Sequence, residues 1–244
     1  MTSGPDFYDE AQVFDTYMQR RQRPDNPNDT LEYPVFMELL GDFRDRTILD
    51  LGCGDGRFGV ELIARGCGTY TGVEASKRMV SAAQEPLASA GGVLHHASIE
   101  TWTYPQTKFD LVVSRLALHY VENITQIFGW VHHTLKSGGR FVFSVEHPVI
   151  TSDNSAAVGS GVRQNWIVDD YFVTGRRDVQ WMGSQVTKYH RTIENYFTGL
   201  QRANFTVEQL REPQPQREFI QDEQLYNRRL RIPLFLVVAA RRND

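Results

Sequence analysis

The chain has 244 residues, 41% hydrophobic and 23% charged, with a formal net charge of −4 at pH 7. That length supports a sizeable core and a single α/β domain with insertions, and the acidic balance provides no global field for nucleic acid. Two cysteines, Cys53 and Cys67, make neither a disulfide framework nor CxxC metal spacing, so no metal is expected. No apolar run reaches the roughly 18 residues of a membrane span. The polar, acidic N-terminus lacks a secretory pattern, so a reduced cytoplasm is the expected compartment.

In the first 45 residues, Phe7, Ala11, Phe14 and Met18 fall on one helical stripe, with Tyr8 and Tyr17 beside it. Arg23 to Asp29 (RPDNPND) is a loop by composition. Pro34 sits at a helix start, with Phe36, Leu39 and Leu40 as its apolar face and Gly41 as its stop. These elements form either plain packing or a flap. Basic clusters at Arg20, Arg21 and Arg23, at Arg176 and Arg177, and at Arg228, Arg229 and Arg231 read as solvated or ion-paired surface. An anion clamp on a substrate is the alternative.

From Thr47 a strand–helix rhythm sets in. Strands are predicted at Thr47–Leu51, Thr69–Glu74, Val93–Ala97, Phe109–Arg115 and Arg140–Glu146. Helices are predicted at Phe58–Arg65, Ser76–Ser89 and Val121–Leu135. Such alternation argues for a parallel sheet covered on both faces, with ligands beyond the carboxyl ends of the strands. Pro148 to Tyr189 breaks the rhythm. This segment is first small and polar (TSDNSAAVGSG), then aromatic at Trp166, Tyr171, Phe172 and Trp181. Asn165–Thr174, Gly175 and Asp178–Met182 read as a hairpin, and the insertion as a binding lid. An aromatic satellite core or a dimer contact is the plainer alternative. A helix at Ile193–Leu200, a strand at Phe205–Leu210, a long connection from Glu212 to Arg231 and a strand at Leu234–Ala240 complete the chain. The expected organisation is one domain: flap (1–45), cofactor half (46–147), lid (148–190), and C-terminal helix and strands (191–244).

The stretch Ile48 to Gly59, ILDLGCGDGRFG, reads as strand, tight turn and helix N-terminus, which is a cofactor pocket. Gly54, Gly56 and Gly59 also satisfy the dinucleotide pattern, and Glu74 follows about twenty residues on to accept from ribose hydroxyls. Asp50, two residues before the first glycine, would repel a pyrophosphate and attract an ammonium.

LDLGCGDGRFG, Glu74 at the end of the second strand, FDLVVSRLALHY (Phe109 to Tyr120) and LKSGGRFVFSVEHP (Leu135 to Pro148) together resemble the class I S-adenosylmethionine-dependent methyltransferases. The resemblance covers Thr47 to Pro148 in order. It implies a doubly wound, seven-stranded, mostly parallel sheet of Rossmann-like type whose final strand, Leu234–Ala240, runs antiparallel. It also implies S-adenosyl-L-methionine as cofactor and S-adenosyl-L-homocysteine as product. Gly52, Cys53 and Gly54 would lie against the methionine part, with Asp50 near its ammonium and Glu74 and Ala75 at the ribose. Ser98 and Ile99 would border the adenine. In many relatives an aspartate near Ser98 contacts the adenine amino group, and here Ser98 or the backbone replaces it. Ser114, Arg115 and Leu116 would face the sulfonium.

Methyl transfer needs alignment first, and a base only where the acceptor must lose a proton. The catalytic or substrate-orienting candidates are His119, Tyr17, Glu146 and His147, with Tyr8 and Tyr120 nearby. For each, hydrogen bonding within the pocket wall is the plainer role. His95–His96 and His132–His133 point apart and read as structural. The expected function is methylation of a small, partly aromatic or apolar acceptor by a monomer or homodimer. A nucleic-acid (RNA or tRNA) methyltransferase, a non-catalytic cofactor-binding partner and a dinucleotide oxidoreductase are the alternatives. The first lacks its Asn/Asp-Pro-Pro-Tyr/Phe motif after the fourth strand, where Ser114-Arg115-Leu116-Ala117 stands.

Overall fold

The computed structural model describes residues 3–153 and 165–244. Helices α1 (Gly4–Asp9) and α2 (Ala11–Arg21) come first, then a π-turn at Asn28–Glu32 that runs into α3 (Tyr33–Leu40). Strand and helix then alternate: β1 (Thr47–Leu51), α4 (Arg57–Ala64), β2 (Thr69–Glu74), α5 (Lys77–Ala90), β3 (Val93–His96) and β4 (Phe109–Arg115). A 3-10 turn at Leu118–Tyr120 leads to α6 (Ile124–Thr134) and β5 (Leu135–Glu146). After α7 (Pro148–Thr151) come a hairpin of β6 (Gly175–Trp181) and β7 (Ser184–His190), then α8 (Ile193–Arg202), β8 (Phe205–Arg211), α9 (Glu223–Arg229) and β9 (Phe235–Arg242).

The main sheet has the order β3-β2-β1-β4-β5-β9-β8. β1 to β5 are parallel, while β9 runs antiparallel to both β5 and β8, as expected of the final strand. Strand residues alternate between two cores, as the two-residue period requires. Phe141, Phe143 and Val145 of β5 join α6 and α8 on one face. Val142 joins Phe36, Leu39, Leu62 and Leu87 of α3, α4 and α5 on the other. The order reverses between β1 and β4, whose carboxyl ends therefore open a crevice.

Beyond shifts of one to three residues at several element ends, the fold differs from the sequence reading at β5, at the hairpin and in the C-terminal connection. β5 begins at Leu135 rather than Arg140. The Ser137–Gly139 turn is absorbed as an irregularity, with Phe109 paired to Leu135 and Leu111 to Arg140. The hairpin lies about nine residues later than expected. Residues 165–174 form no strand, Gly175 opens β6, and the turn is Met182–Gly183, both with positive φ (49° and 87°). Two left-handed central residues match the twist of an antiparallel pair, and methionine is an uncommon signal for that position. The connection from Glu212 to Arg231 contains α9. Most of the small polar run of the insertion lies outside the described residues.

Candidate functional site

The crevice begins at the glycine turn. Val73 O accepts from the N–H groups of Gly52 (2.8 Å) and Cys53 (3.1 Å), which folds the chain back at the end of β1. Gly52 has φ 78°, and a Cβ there would stand 2.4 Å from the Cβ of Ala117. At Gly59 a Cβ would overlap the Tyr70 ring, so α4 packs directly on that ring. Tyr70 in turn donates its hydroxyl to Asp50 Oδ2 at 2.7 Å. Burial pushes the Asp50 carboxyl up to about 7, only partly offset by the Tyr70 bond. Its Oδ1 is buried with no hydrogen-bond partner among the described residues.

Glu74, at the end of β2, accepts from three backbone N–H groups: Gly54 at Oε2 (2.9 Å), and Ala75 and Ser76 at Oε1 (both 2.8 Å). Burial still raises its pKa. The carboxylate thus ties the glycine turn to the start of α5. Beyond β3, Ser98 Oγ accepts from Glu100 N, and Ile99 O accepts from the Tyr104 hydroxyl.

At the end of β4, Ser114 is fully buried and donates to Leu51 O at 2.7 Å, bracing β1 from behind the crevice. Arg115 forks onto the buried Glu32 and lies over the rings of Tyr33, Phe36 and Phe58. Ser144 Oγ donates to Glu32 Oε1 (2.7 Å) and accepts from Leu116 N (3.1 Å). Leu116 itself holds a left-handed φ of 54°. A buried polar chain therefore sets the bend at the carboxyl end of β4.

The far wall comes from three distant segments. Tyr8 and Tyr17 of the N-terminal helices, Tyr120 of the 3-10 turn and Trp181 of β6 meet with ring centroids 5.1–6.5 Å apart. The Tyr8 and Tyr120 hydroxyls lie 3.2 Å apart, and burial raises the pKa of Tyr8, Tyr17 and Tyr120, keeping all three phenols protonated. His119 Nδ1 accepts from Glu146 N (3.4 Å), which puts the ring proton on Nε2. Burial lowers its pKa to about 4, so the ring is neutral. Lys188 Nζ donates to Glu146 Oε1 at 2.6 Å and stands 4.8 Å above the Trp181 ring. Burial pushes the Glu146 carboxyl up, but Lys188 and His119 outweigh it and hold the group below its ordinary value.

One cavity of about 580 Å³ joins both ends. Of the residues singled out from the sequence, Asp50, Gly52, Cys53, Gly54, Glu74, Ala75, Ser98, Ile99, Arg115, Leu116, His119, Glu146 and Tyr17 line it. Ser114 lies behind its wall. His147 also stays outside: its Nδ1 accepts from Val149 N to cap α7, and its Nε2 lies 2.7 Å from Glu212 Oε1. Of the four lid aromatics only Trp181 reaches the cavity; Phe172 is 86% exposed. Sequence reasoning missed Glu32 and Lys188. Each is a charged residue among apolar or inward-facing neighbours, and that is the signal that could have found them. Among the described residues no cluster of three or more His, Cys, Asp or Glu is placed for a metal, and no helix is long and apolar enough to cross a membrane.

A parallel sheet with a reversed strand inserted next to its edge, and a glycine turn at its switch point, define a Rossmann-like cofactor-binding protein. The orphaned Asp50 Oδ1 fits a cationic group such as an amino-acid ammonium, and the open space beside Gly54 fits a ligand against the backbone. A family model described as a methyltransferase domain matches residues 49–143. An S-adenosylmethionine dependent methyltransferase from Mesorhizobium loti is 33% identical, covering 91% of this chain and 100% of its own, with a TM-score of 0.78. A Listeria monocytogenes structure ascribed to the same class is 32% identical, with 87% and 97% covered and a TM-score of 0.79. An uncharacterized protein of Haemophilus influenzae is 30% identical over 84% of this chain and 85% of its own. The chain belongs to the S-adenosylmethionine-dependent methyltransferases, and S-adenosyl-L-methionine is its cofactor.

Proposed function

We propose that this enzyme methylates a small, partly aromatic or apolar organic molecule held between the N-terminal flap and the hairpin lid. The observation that carries this reading is the continuity of the cavity from the glycine turn to the wall of Tyr8, Tyr17, Tyr120 and Trp181. Its volume lies in the range of small-molecule sites. The two decorations, 1–45 and 148–190, then act as acceptor-binding segments on the cofactor-binding half, within one domain.

In this reading Asp50 Oδ1 receives the cofactor's ammonium, and Gly52, Cys53 and Gly54 lie along its amino-acid part. Glu74, with Ala75 beside it, takes a ribose hydroxyl on the one Oε2 lone-pair site left by its three N–H partners. Ser98 and Ile99 border the base. Arg115 and Leu116 shape the floor beneath the reacting carbon, and Ser114 braces it. When bound, the cofactor supplies a methyl group made electrophilic by its sulfonium. The chain's part is to align the acceptor and exclude water, which can supply on the order of 7–11 kcal/mol. His119, neutral with its proton on Nε2, acts as a donor that orients the acceptor rather than as a base. Tyr17 adds a protonated phenol, Glu146 a carboxylate, and His147 anchors the strand end through Glu212. A cytoplasmic monomer or homodimer is consistent with these assignments.

Metabolite extracts incubated with enzyme and labelled cofactor test the reading, with products examined for one added methyl group. A labelled small molecule is the expected result. Label recovered only in tRNA, or cofactor binding without any labelled product, would overturn it.

A further inference from the structure

The geometry points to a weakly basic nitrogen that carries an N–H, as in an aromatic amine, as the methyl acceptor, held against Glu146 Oε2 beside the Tyr120 and Trp181 rings. This rests on the small-molecule reading above. It follows from which lone pairs on the acceptor wall are already taken. His119 Nδ1 is occupied by the Glu146 N–H. The Tyr8 and Tyr120 hydroxyls face each other. Glu146 Oε1 is bound by Lys188. Asp50 stands at the opposite end, under Tyr70. A hydroxyl, phenol or thiol acceptor would need a base to remove its proton before or during attack. Among the described residues the open groups on the acceptor wall are the Tyr17 hydroxyl, whose proton burial holds in place, and a carboxylate oxygen, whose ordinary pKa is about six units below that of a phenol. The low pKa of His119, about 4, agrees with this geometry.

A carboxylate acceptor needs no base, but the charges oppose it. Of the cavity arginines, Arg115 is hydrogen-bonded to Glu32, and Arg57 and Arg21 stand in ion-pair distance of Asp55 and Asp29, although Arg21 Nη1 makes no hydrogen bond among the described residues. An anion beside Glu146 would add like charge. A weakly basic nitrogen, already unprotonated at neutral pH, meets neither obstacle. Its lone pair forms the new bond to the methyl carbon as the carbon–sulfur pair returns to sulfur, so the positive charge passes from sulfur to nitrogen. That charge develops beside Glu146 and over aromatic faces, and any surplus N–H proton then leaves to water. Lys188 Nζ already lies 4.8 Å from the Trp181 centroid and 5.8 Å from that of Tyr120, so the new charge depends on the free Glu146 oxygen to offset that like charge. Lys188 is thus a positioning residue that fixes Oε1 and leaves Oε2 toward the acceptor.

Cofactor carrying a ¹³C-methyl group, turned over with metabolite extract, gives a product whose methyl carbon shift distinguishes N-, O-, S- and C-methylation even while the acceptor is unidentified. An N-methyl signal is expected. An O-, S- or C-methyl signal would overturn the acceptor assignment while leaving small-molecule methylation intact. No labelled product would remove the small-molecule reading and this inference with it. On the identified acceptor, Glu146→Gln is expected to lower kcat/KM at least tenfold with S-adenosylhomocysteine affinity unchanged. The double variant Glu146→Gln with Lys188→Met, which leaves no buried cation unpaired, is expected to show the same loss. Wild-type kcat/KM in either folded variant would overturn the role of Glu146.

Discussion

The two ends of the cavity are built by different means. The cofactor end is drawn from one run of chain, Asp50 to Ile99, and is held chiefly by backbone groups: Gly52 and Cys53 N–H on Val73 O, and three N–H groups on Glu74. The acceptor end is drawn from the flap, the ends of β4 and β5, and the lid. It is held by side-chain contacts such as Tyr8 with Tyr120, Glu10 with Ser184, and Glu146 with Lys188. Asp9, taking Ser76 Oγ (2.7 Å) and Arg78 N (3.1 Å), fastens the flap to the first turn of α5. A backbone-held end keeps its shape under most substitutions outside the turn. A side-chain-held end can change its specificity one residue at a time, and this separates donor recognition from acceptor recognition.

That separation can be broken from either side. The largest expected effect is at the turn. Gly52→Val combines a left-handed φ with overlap on Ala117 and should lower S-adenosylhomocysteine affinity by more than about a hundredfold in calorimetry. An affinity within threefold of wild type would show that this end does not depend on the turn.

Next is Asp50. A carboxyl raised in the folded state stabilises the fold most at low pH, and loses that contribution as pH rises from about 4 toward about 7. The free protein should therefore lose on the order of a few kcal/mol across this window, with Glu74, also raised by burial, acting in the same direction. Asp50→Asn should flatten the dependence of Tm on pH. If an ammonium docks at Oδ1, cofactor affinity should rise with pH through about 7 and lose that rise in the variant.

Glu74→Ala should weaken S-adenosylhomocysteine binding by about 1.5–3 kcal/mol, part of it from three backbone N–H groups left without their acceptor. Trp181→Ala should lower kcat/KM for the acceptor about tenfold, roughly 1.4 kcal/mol, while leaving cofactor affinity within a factor of two. Equal losses in both would mean that the lid serves the two ends alike. The smallest expected effect concerns His119: with its pKa near 4, its titration should leave no limb between pH 5.5 and 8 in kcat/KM. A limb near 6.5 abolished by His119→Asn would restore it as a base.

The positions of the parallel strands along the chain, the glycine turn and the acid that ends β2 were legible because each rests on local chemistry. Strand period and positive φ depend on neighbours a few residues away. Asp50, Gly52 and Glu74 were accordingly named from spacing alone, and all three line the cavity. The hairpin was displaced because its turn uses Met182 rather than a residue typed for that conformation. His147 looked like Glu146 in sequence, yet adjacent strand-end residues face opposite ways, and it caps α7 instead.

What the amino-acid order by itself determined was therefore the donor end: where the strands stop, where the backbone bends, and which carboxylates flank the bend. Only the tertiary structure decided the acceptor end. Nothing in the local sequence says that Tyr8 will meet Tyr120, that Lys188 will fix Glu146, or that Glu32 will hold Arg115. Those pairings come from burial of charged and aromatic groups brought together across long stretches of chain. Once desolvated, each such group must find its partner wherever the fold provides one.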